Sequence, residues 1–488
     1  MKRQLQNLAF IMLLTISIFL SSSCAEETVP GTSDFIPGTS VSVTSASQAT
    51  TNQTLPTGTT KPSLTQPAGT DSGEFPYEIR IEEVSIPGFK GLHSFAYAQH
   101  DGKWLLVGGR TDGLHTRQPF AAFPLANNNR NLIVLDPDTK EYWSAPLEPL
   151  PGDIQEHLQS ANMNFYQSGD TLFFIGGYAY SETAKGHITF PKLTTIKVSE
   201  VIKGVMNGKL DRLMFGHLAD ERFAVTGGQL GKIGDLFYLV GGHRFDGRYT
   251  PENSRQNLQV YTNAIQRFSI DIAGPSPVVK DYSSLVDKDH LRRRDFNLVP
   301  YQFGNGRPGY LVSTGVFQAT ADLPFLTLVE IDSDSYFPVQ NFEQYLSHYH
   351  SPKLAMYESS QNSLHMLFFG GLAQFYYKDG MRVQDDQVPF VTTISRVTRK
   401  SDGTFTEQAL PISMPDFAGT SAEFIPNTKL PRSETGVFLM GNTATEPILL
   451  GHMVGGITSP TANPFSTNQT NQTSADSRIF RIWVDYVG

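Results

Sequence analysis

The sequence Trp104-Leu-Leu-Val-Gly-Gly109 is the first of six related runs in which large apolar residues precede a pair of small ones. The others are Leu172-Phe-Phe-Ile-Gly-Gly177, Phe237-Tyr-Leu-Val-Gly-Gly242, Tyr310-Leu-Val-Ser-Thr-Gly315, Met366-Leu-Phe-Phe-Gly-Gly371 and Val437-Phe-Leu-Met-Gly-Asn442. Their last residues are 68, 65, 73, 56 and 71 positions apart. Such regular spacing predicts a repeat architecture of six units. Gly227-Gly228 and Gly455-Gly456 each lie 14 residues from a counted run and are interpreted as turns or loops.

The same elements surround each run: an apolar strand and a turn come before it, and a variable loop and another apolar strand follow. A sheet of about four strands per unit, closed radially, is a blade of a β-propeller. The predicted fold is therefore all-β, a six-bladed β-propeller. The alternating segment Tyr77-Glu-Ile-Arg-Ile-Glu-Glu-Val-Ser-Ile86 precedes the first complete unit. We expect it to join residues 478–488 in the last blade, which would leave no open sheet edge.

The residues Asp136-Pro-Asp-Thr-Lys-Glu-Tyr-Trp143, with Gly108-Gly109 upstream, resemble a kelch repeat. In that family the Asp-Pro-x-Thr sequence forms a turn and the tryptophan packs between blades. The resemblance covers residues 77–488, although the tryptophan is absent from blades two to five. Each blade has about 69 residues, against about 50 in a plain kelch repeat. We expect the additional residues to lie in loops.

The N-terminus has the three regions of a secretory signal: the basic pair Lys2-Arg3, an apolar run from Leu8 to Leu20, and the small residues before Cys24. Because the only cysteine directly follows Ser21-Ser22-Ser23, this segment resembles a bacterial lipoprotein signal. The resemblance implies cleavage before Cys24 and lipidation of that residue. An ordinary secretory signal is the alternative interpretation.

Glu26 and Glu27 resemble the acidic surface-export tag of Bacteroidota lipoproteins. From Thr28 to Phe75, 29 of 48 residues are Ser, Thr, Pro or Gly, a composition that cannot form a core. The predicted organisation is a signal peptide over residues 1–23, a disordered tether over 24–75 and the propeller over 76–488. The expected location is the cell envelope, as an outer-membrane lipoprotein with a surface-exposed body.

Charge and cysteine content exclude several classes of function. The formal net charge is -9, and it becomes -11 when Lys2 and Arg3 are removed with the signal, so a nucleic-acid partner is not expected. With Cys24 as the only cysteine, the body has no disulfide and no cysteine nucleophile. His348-Tyr-His350 offers two imidazoles but no identifiable third ligand. We predict no metal, no cofactor and a monomeric body.

Candidate site residues come from aligning the innermost strands of the blades on their apolar positions. The alignment groups polar residues into one column, Ser94, Ser160, Asp295, Ser351 and Ser421. The preceding column is His93, Gln159, Arg294, His350 and Thr420, and the column two residues later is Ala96, Asn162, Asn297, Lys353 and Glu423. Because innermost strands line the central channel and side chains alternate along a strand, a polar funnel is expected. A water-filled pore without a ligand is the alternative.

The connections after the glycine runs are long and all start at one end of the ring, so one face should be rich in loops. Arginine and aromatic side chains in these loops suit acidic glycans, sugar rings or protein hot spots. The predicted ligand-binding residues are Arg110, Asn162, Tyr178, Arg222, His243, Arg294, Asn297 and Lys353.

Glycan or protein binding is the favoured function, since no standard hydrolase signature occurs in the sequence. The first alternative is a sugar mutarotase or epimerase, because the chain resembles six-bladed kelch sialic acid mutarotases in blade number and export. That reaction needs an acid and a base across a sugar ring. Glu423 and His350 are the candidates, with Arg294 or Arg222 holding a carboxylate, and no catalytic residue is assigned. A structural subunit of an envelope complex is the second alternative.

Overall fold

A computed structural model describes residues 75–248, 259–441 and 446–487. Six sheets of four main strands each follow one another along the chain and form a ring, which confirms the predicted six-bladed β-propeller. Within each blade the chain runs from the channel outwards through antiparallel neighbours. The signal peptide, Cys24 and all of the predicted tether up to residue 74 lie outside the described residues.

The first strand, β1, spans Tyr77–Val84. Blade one consists of β2 (Ala96–His100), β3 (Lys103–Val107), β4 (Asn131–Asp136) and β5 (Glu141–Pro146). Blade two follows helix α1 (Gly152–Leu158) and consists of β6 (Asn164–Ser168), β7 (Thr171–Ile175), an inserted hairpin of β8 (Tyr178–Ser181) and β9 (Gly186–Thr189), then β10 (Pro191–Lys197), helix α2 (Val198–Met206) and β11 (Phe215–Ala224).

Blade three consists of β12 (Gln229–Ile233), β13 (Leu236–Val240), a hairpin of β14 (His243–Phe245) and β15 (Gln259–Tyr261), then β16 (Ala264–Asp271) and β17 (Val278–Val286). Blade four consists of β18 (Asn297–Gln302), β19 (Pro308–Ser313), β20 (Val329–Ile331) and β21 (Tyr336–Pro338).

Blade five contains β22 (His348–Tyr349), β23 (Lys353–Glu358), β24 (Ser363–Phe369), β25 (Leu372–Ala373), a hairpin of β26 (Phe375–Lys378) and β27 (Met381–Gln384), then β28 (Thr393–Arg399) and β29 (Phe405–Ser413). Blade six contains β30 (Phe417–Pro426), β31 (Phe438–Met440), β32 (Ile448–Ser459), β33 (Ser474–Ala475) and β34 (Ile479–Tyr486). Among the described residues, no helix has both the length and the apolar character that crossing a bilayer requires.

The apolar runs that reveal the repeat are the second strands of the blades. In β3, β7 and β13 every residue after the first is buried, because the strand lies inside a sheet that packs against a neighbouring blade on each face. The outermost strands have solvent on one side, and β17 is mostly exposed. Burial on both faces removes the alternation of apolar and polar residues that half-exposed strands show.

A glycine pair in or directly after the second strand of every blade except blade four, which has Thr314-Gly315, lets neighbouring blades touch through their backbones. Gly455 has φ +66°, and a Cβ atom there would lie 2.1 Å from the carbonyl oxygen of Leu92 in blade one. The second glycine of each pair donates its N–H to a carbonyl of the next blade. These bonds run from Gly109 to Ser160 (2.9 Å), Gly177 to Val225 (3.0 Å), Gly242 to Arg293 (2.6 Å), Gly371 to Ala418 (2.8 Å) and Gly456 to Leu92 (2.9 Å).

The assignment of the sixth run was wrong. Gly455-Gly456 lies within β32, the second strand of blade six, and makes the contacts that the other pairs make. The run from Val437 instead contributes β31, which lies beside β23 of blade five. Both segments are apolar because both are buried, so composition alone did not separate them.

The predicted closing strand is confirmed. β1 pairs antiparallel with β34 from Tyr77 opposite Tyr486 to Val84 opposite Ile479. It forms the outer strand of blade six, in the order β30, β32, β34, β1. The two ends of the propeller therefore meet in one sheet.

A segment of blade six closes the lower end of the channel, the end where the turns between first and second strands lie. This plug segment, residues 427–440, connects β30 to the chain before β32. The Thr435 hydroxyl donates to the carbonyl of Tyr301 in blade four (3.1 Å), and Glu434 accepts from the Gly234 N–H in blade three. β31 then pairs parallel with β23 of blade five. Because blade three stands opposite blade six in a ring of six, the plug segment crosses the channel.

Candidate functional site

A ring of backbone hydrogen bonds surrounds the channel where the innermost strands begin. Its members, called the throat ring here, are Ser94, Asn162, Gly227, Asp295, His350 and Ser421, one from each blade. Each has a positive φ, between 39° and 66°. At five of the six junctions the N–H of one member donates to the carbonyl of the member in the preceding blade. These bonds run from Asn162 to Ser94 (3.0 Å), Gly227 to Asn162 (3.2 Å), Asp295 to Gly227 (2.7 Å), Ser421 to His350 (2.7 Å) and Ser94 to Ser421 (3.0 Å).

The throat ring corrects the alignment of the innermost strands. Ser94, Asp295 and Ser421 are equivalent, as expected. In blade two the equivalent residue is Asn162 and not Ser160, and in blade five it is His350 and not Ser351. Blade three contributes Gly227, which had been interpreted as part of a turn or loop. The common property is a left-handed backbone, which glycine, asparagine and aspartate adopt most readily.

Above the throat ring is a cavity of about 350 Å³ that receives residues from the long connections of all six blades. Side chains of the throat ring form its floor: Ser94, Asn162, Asp295, His350 and Ser421. A second cavity of about 10 Å³, about the size of one water molecule, lies beneath the floor and shares Ser94, Asn162 and His350 with the larger one. The larger cavity is lined by the long connections and lies on the loop-rich face, at the opposite end of the channel from the plug segment.

One wall of the cavity is aromatic. The Tyr178 and Phe245 rings are stacked with centroids 4.9 Å apart, and Phe123 meets Tyr178 edge to face at 5.3 Å. The Tyr178 hydroxyl donates to the Gly247 carbonyl at 2.5 Å, which fixes the ring. These residues come from blades one, two and three, so the wall is held by contacts between separate loops. His187 also stacks on Tyr178, at 5.7 Å, so the rings pack mainly on one another and give the cavity a rigid apolar side.

Arg110 lies in this cavity but is held within a network of its own. Its guanidinium donates to both carboxylate oxygens of Asp112, at 2.9 and 2.6 Å, and to Asn128 Oδ1 at 2.6 Å. His93 Nε2 lies 3.5 Å from the same carboxylate. Burial by itself would raise the pKa of Asp112, but the contacts with His93 and Arg110 outweigh it and hold that pKa well below its usual range.

Arg294 is the second cation that lines the cavity, and its guanidinium donates to the carboxylate of Asp295. Its side chain is 17% exposed and lies over the Phe317 ring at 5.1 Å. Burial would lower the pKa of Arg294, but the Asp295 carboxylate raises it, so the group stays charged.

His350 and Glu423, the two predicted acid–base candidates, meet in the throat. His350 Nε2 lies 3.3 Å from Glu423 Oε1, and both side chains are less than 10% exposed. Lys353 begins β23 just below the throat ring, where burial lowers the pKa of its ammonium group and the Glu423 carboxylate partly offsets that effect. The pair is thus placed where it faces a group that occupies the cavity floor.

Three predicted ligand-binding residues, Asn297, Arg222 and Lys353, do not line the cavity. Asn297 is fully buried, donates to the His348 carbonyl (2.5 Å) and accepts from the Ser351 N–H (3.0 Å), so it joins blade four to blade five. Arg222 lies on the outermost strand of blade two, paired with Asp220 and stacked over Tyr282 at 4.4 Å. The structure therefore brings Arg110, Asn162, Tyr178, His243 and Arg294 together around the cavity, with Lys353 below it.

Two histidines of the cavity are neutral at physiological pH. Burial lowers the pKa of His243 to about 3 and that of His115 to about 4. No group of three metal-ligating side chains occurs among the described residues. His348 is fully buried behind the throat, and His350 faces Glu423.

Several features of the site were not recognised from the sequence. The plug segment has no sequence signal that separates it from a repeat unit. The throat ring does have one, because Ser94, Asn162, Gly227, Asp295, His350 and Ser421 recur at steps of 68, 65, 68, 55 and 71 residues. Compared with known proteins, the chain matches no family model and no curated protein.

Proposed function

We propose that this protein is an exported, lipid-anchored propeller that binds a glycan in the cavity on its loop-rich face. The observation that carries the proposal is the cavity of about 350 Å³ on the loop-rich face, with an aromatic wall and a polar floor. Small-molecule sites typically have volumes of about 300 to 1,000 Å³, an apolar lining and a few convergent polar groups.

A sugar fits this cavity better than a protein does. A stable protein interface buries about 800 Å² on each partner, mostly over a flat surface. The groups that converge here are instead recessed below the loops, where a projecting sugar ring can reach them. A protein partner would contact the rim of the mouth and leave the floor unused.

The envelope location and the anchor are part of the same proposal. They are supported by the sequence that resembles a lipoprotein signal at Cys24 and by the acidic pair at 26 and 27, which resembles a Bacteroidota export tag. We expect mass spectrometry of the mature protein to find an acylated N-terminal Cys24, and a Cys24→Ala variant to leave the membrane fraction. Wild-type protein that is fully soluble would contradict the anchor.

Kelch ancestry is also proposed. Trp143, the residue that resembles the kelch tryptophan, packs against a hydrophobic cluster shared by blades one and two and helix α2. Asp136 Oδ1 accepts the N–H groups of Asp138 and Thr139 at 3.0 Å each, so the Asp-Pro-x-Thr sequence forms the expected turn.

The binding proposal predicts that Asn162→Gly weakens sugar binding by about 1 to 3 kcal/mol. Asn162 Oδ1 is buried in the cavity floor without a protein partner, and glycine keeps the left-handed backbone. Titration calorimetry with sugars that bind in a glycan screen measures the effect. Arg222→Ala is the control, since the outer strand is remote from the cavity. Equal losses in both variants, or none in Asn162→Gly, would place the ligand elsewhere.

A sugar mutarotase or epimerase is the second candidate, favoured by the contact between His350 and Glu423 in the throat. His350 lies at the cavity floor and Glu423 just beneath it, so an imidazole and a carboxyl group are available as the acid and base that anomer exchange requires. We expect Glu423→Gln to abolish anomer exchange while sugar binding is retained. NMR spectra of the sugar in the presence of the protein measure the rate of exchange. A wild-type protein that binds sugar without accelerating exchange supports a receptor.

A further inference from the structure

We propose that the cavity selects an uncharged sugar and discriminates against sugars that carry a carboxylate. This inference rests on the proposed glycan binding and names the class of ligand. The arginines of the loops indicate an acidic glycan when only the sequence is considered. In the structure, however, the arginines that line the cavity are already paired with carboxylates of the protein.

Arg110 has little capacity left for a ligand. Three of its hydrogen bonds go to Asp112 and Asn128, and its side chain is 7% exposed. A ligand carboxylate that formed a bidentate pair with Arg110 would have to displace Asp112. The displaced carboxylate would then be largely buried without its partner, which is strongly unfavourable.

Arg294 is compensated in the same way by its neighbour in sequence, Asp295, which is also a member of the throat ring. The backbone of Asp295 is fixed by its hydrogen bond to Gly227, so the carboxylate remains beside the guanidinium. Each cation of the cavity therefore carries its own anion.

The remaining charges of the described cavity lining are negative. Among its Arg, Lys, Asp and Glu residues, two are cationic, Arg110 and Arg294, and three are anionic, Asp295, Asp322 and Asp386. Glu423 adds another carboxylate just beneath the floor. Asp322 and Asp386 are exposed side chains, so a ligand carboxylate would meet their negative charge as it enters the cavity, and such like-charge juxtaposition is a means of rejecting wrong ligands.

The uncompensated groups suit a neutral ligand. Asn162 Oδ1 lacks a protein partner, and the Ser94 and Ser421 side chains also line the floor. An amide oxygen and serine hydroxyls pair with sugar hydroxyl groups without requiring charge. The buried Tyr178 and Phe245 rings make one side of the cavity apolar without adding charge.

The test compares matched sugars that differ only at C6, namely glucose with glucuronate and galactose with galacturonate, together with N-acetylglucosamine. Binding to the full-length protein at pH 7 is measured by ligand-observed NMR and calorimetry. We expect at least one neutral sugar to bind and its uronate partner to bind about tenfold more weakly or worse.

Variants that remove charge show whether electrostatic repulsion or the shape of the cavity causes the preference for the neutral sugar. Asp322→Asn with Asp386→Asn removes the two carboxylates of the lining that no cation compensates, and we expect it to narrow the preference for the neutral partner at least severalfold. Asp138→Asn, an exposed carboxylate at the lower end of the propeller, is the matched control and should leave the preference unchanged.

The outcomes distinguish the two proposals. A uronate that binds as tightly as its neutral partner, or more tightly, overturns the charge selection and leaves glycan binding standing. A preference that the double variant does not reduce also overturns it, because shape would then be the cause. If none of these sugars binds, glycan binding in this cavity is refuted and the selection is refuted with it.

Discussion

Replacing Gly455 by alanine is expected to lower the free energy of unfolding by about 3 kcal/mol or more. A non-glycine residue at φ +66° costs about 1 to 2 kcal/mol, and forcing atoms into a packed interface costs about 1 to 3 kcal/mol. The new Cβ would meet the Leu92 carbonyl at 2.1 Å, and Leu92 belongs to the adjacent blade. The blade interface would therefore have to open. Urea denaturation of the wild type and the variant measures the difference.

Gly441→Ala is the matched control, because a Cβ atom there has nothing within 4 Å. We expect it to change stability by no more than about 0.5 kcal/mol. This pair of variants also tests the register of blade six. A large loss at Gly441 with little change at Gly455 would mean that the run ending at 442 is the second strand.

Acid is expected to destabilise the propeller strongly through its buried histidines. Burial lowers the pKa of His243, of His348 and of His365 to about 3 each. In the unfolded chain these groups bind a proton near pH 6.5. Between pH 6.5 and 3 the unfolded state therefore binds more protons, and stability falls as the pH falls.

The expected loss is about 2 kcal/mol per histidine between pH 6.5 and 5, or about 6 kcal/mol for the three. Total stabilities of proteins are about 5 to 15 kcal/mol, so the protein should be near its unfolding threshold at pH 5. Urea midpoints at pH 7.5, 6 and 5 measure this dependence. His348→Asn should reduce the slope by one proton, whereas His100→Asn, at a ring that is 43% exposed, should not. Stability that stays constant from pH 7.5 to 5 would refute the prediction.

The architecture was predictable because its signals are local. Second strands such as β3 and β7 are buried on both faces, and the glycines that follow them touch the next blade, so the repeat appears directly in the sequence. Closure by β1 was predictable for the same reason, since Tyr77 to Val84 alternates and no other strand was left to complete blade six.

The site was predictable only in part, because its members are defined by contacts between distant residues. Ser160 and Ser94 are the same residue type, yet Asn162 takes the equivalent position because it has the left-handed backbone of the throat ring. Arg222 and Arg294 are equally basic, but the first is on an outer strand and the second is at the channel. Residue type carries no information on that distinction.

The plug segment limits how a long ligand could enter the propeller. With the lower end blocked by Glu434, Thr435 and β31, a polymer cannot be threaded along the axis. A long chain can offer only a terminus or a side branch, and whatever goes in must retreat by the same opening. A polymer bound in this cavity would therefore not slide along the axis of the propeller, and it would have to leave the cavity completely before another could enter.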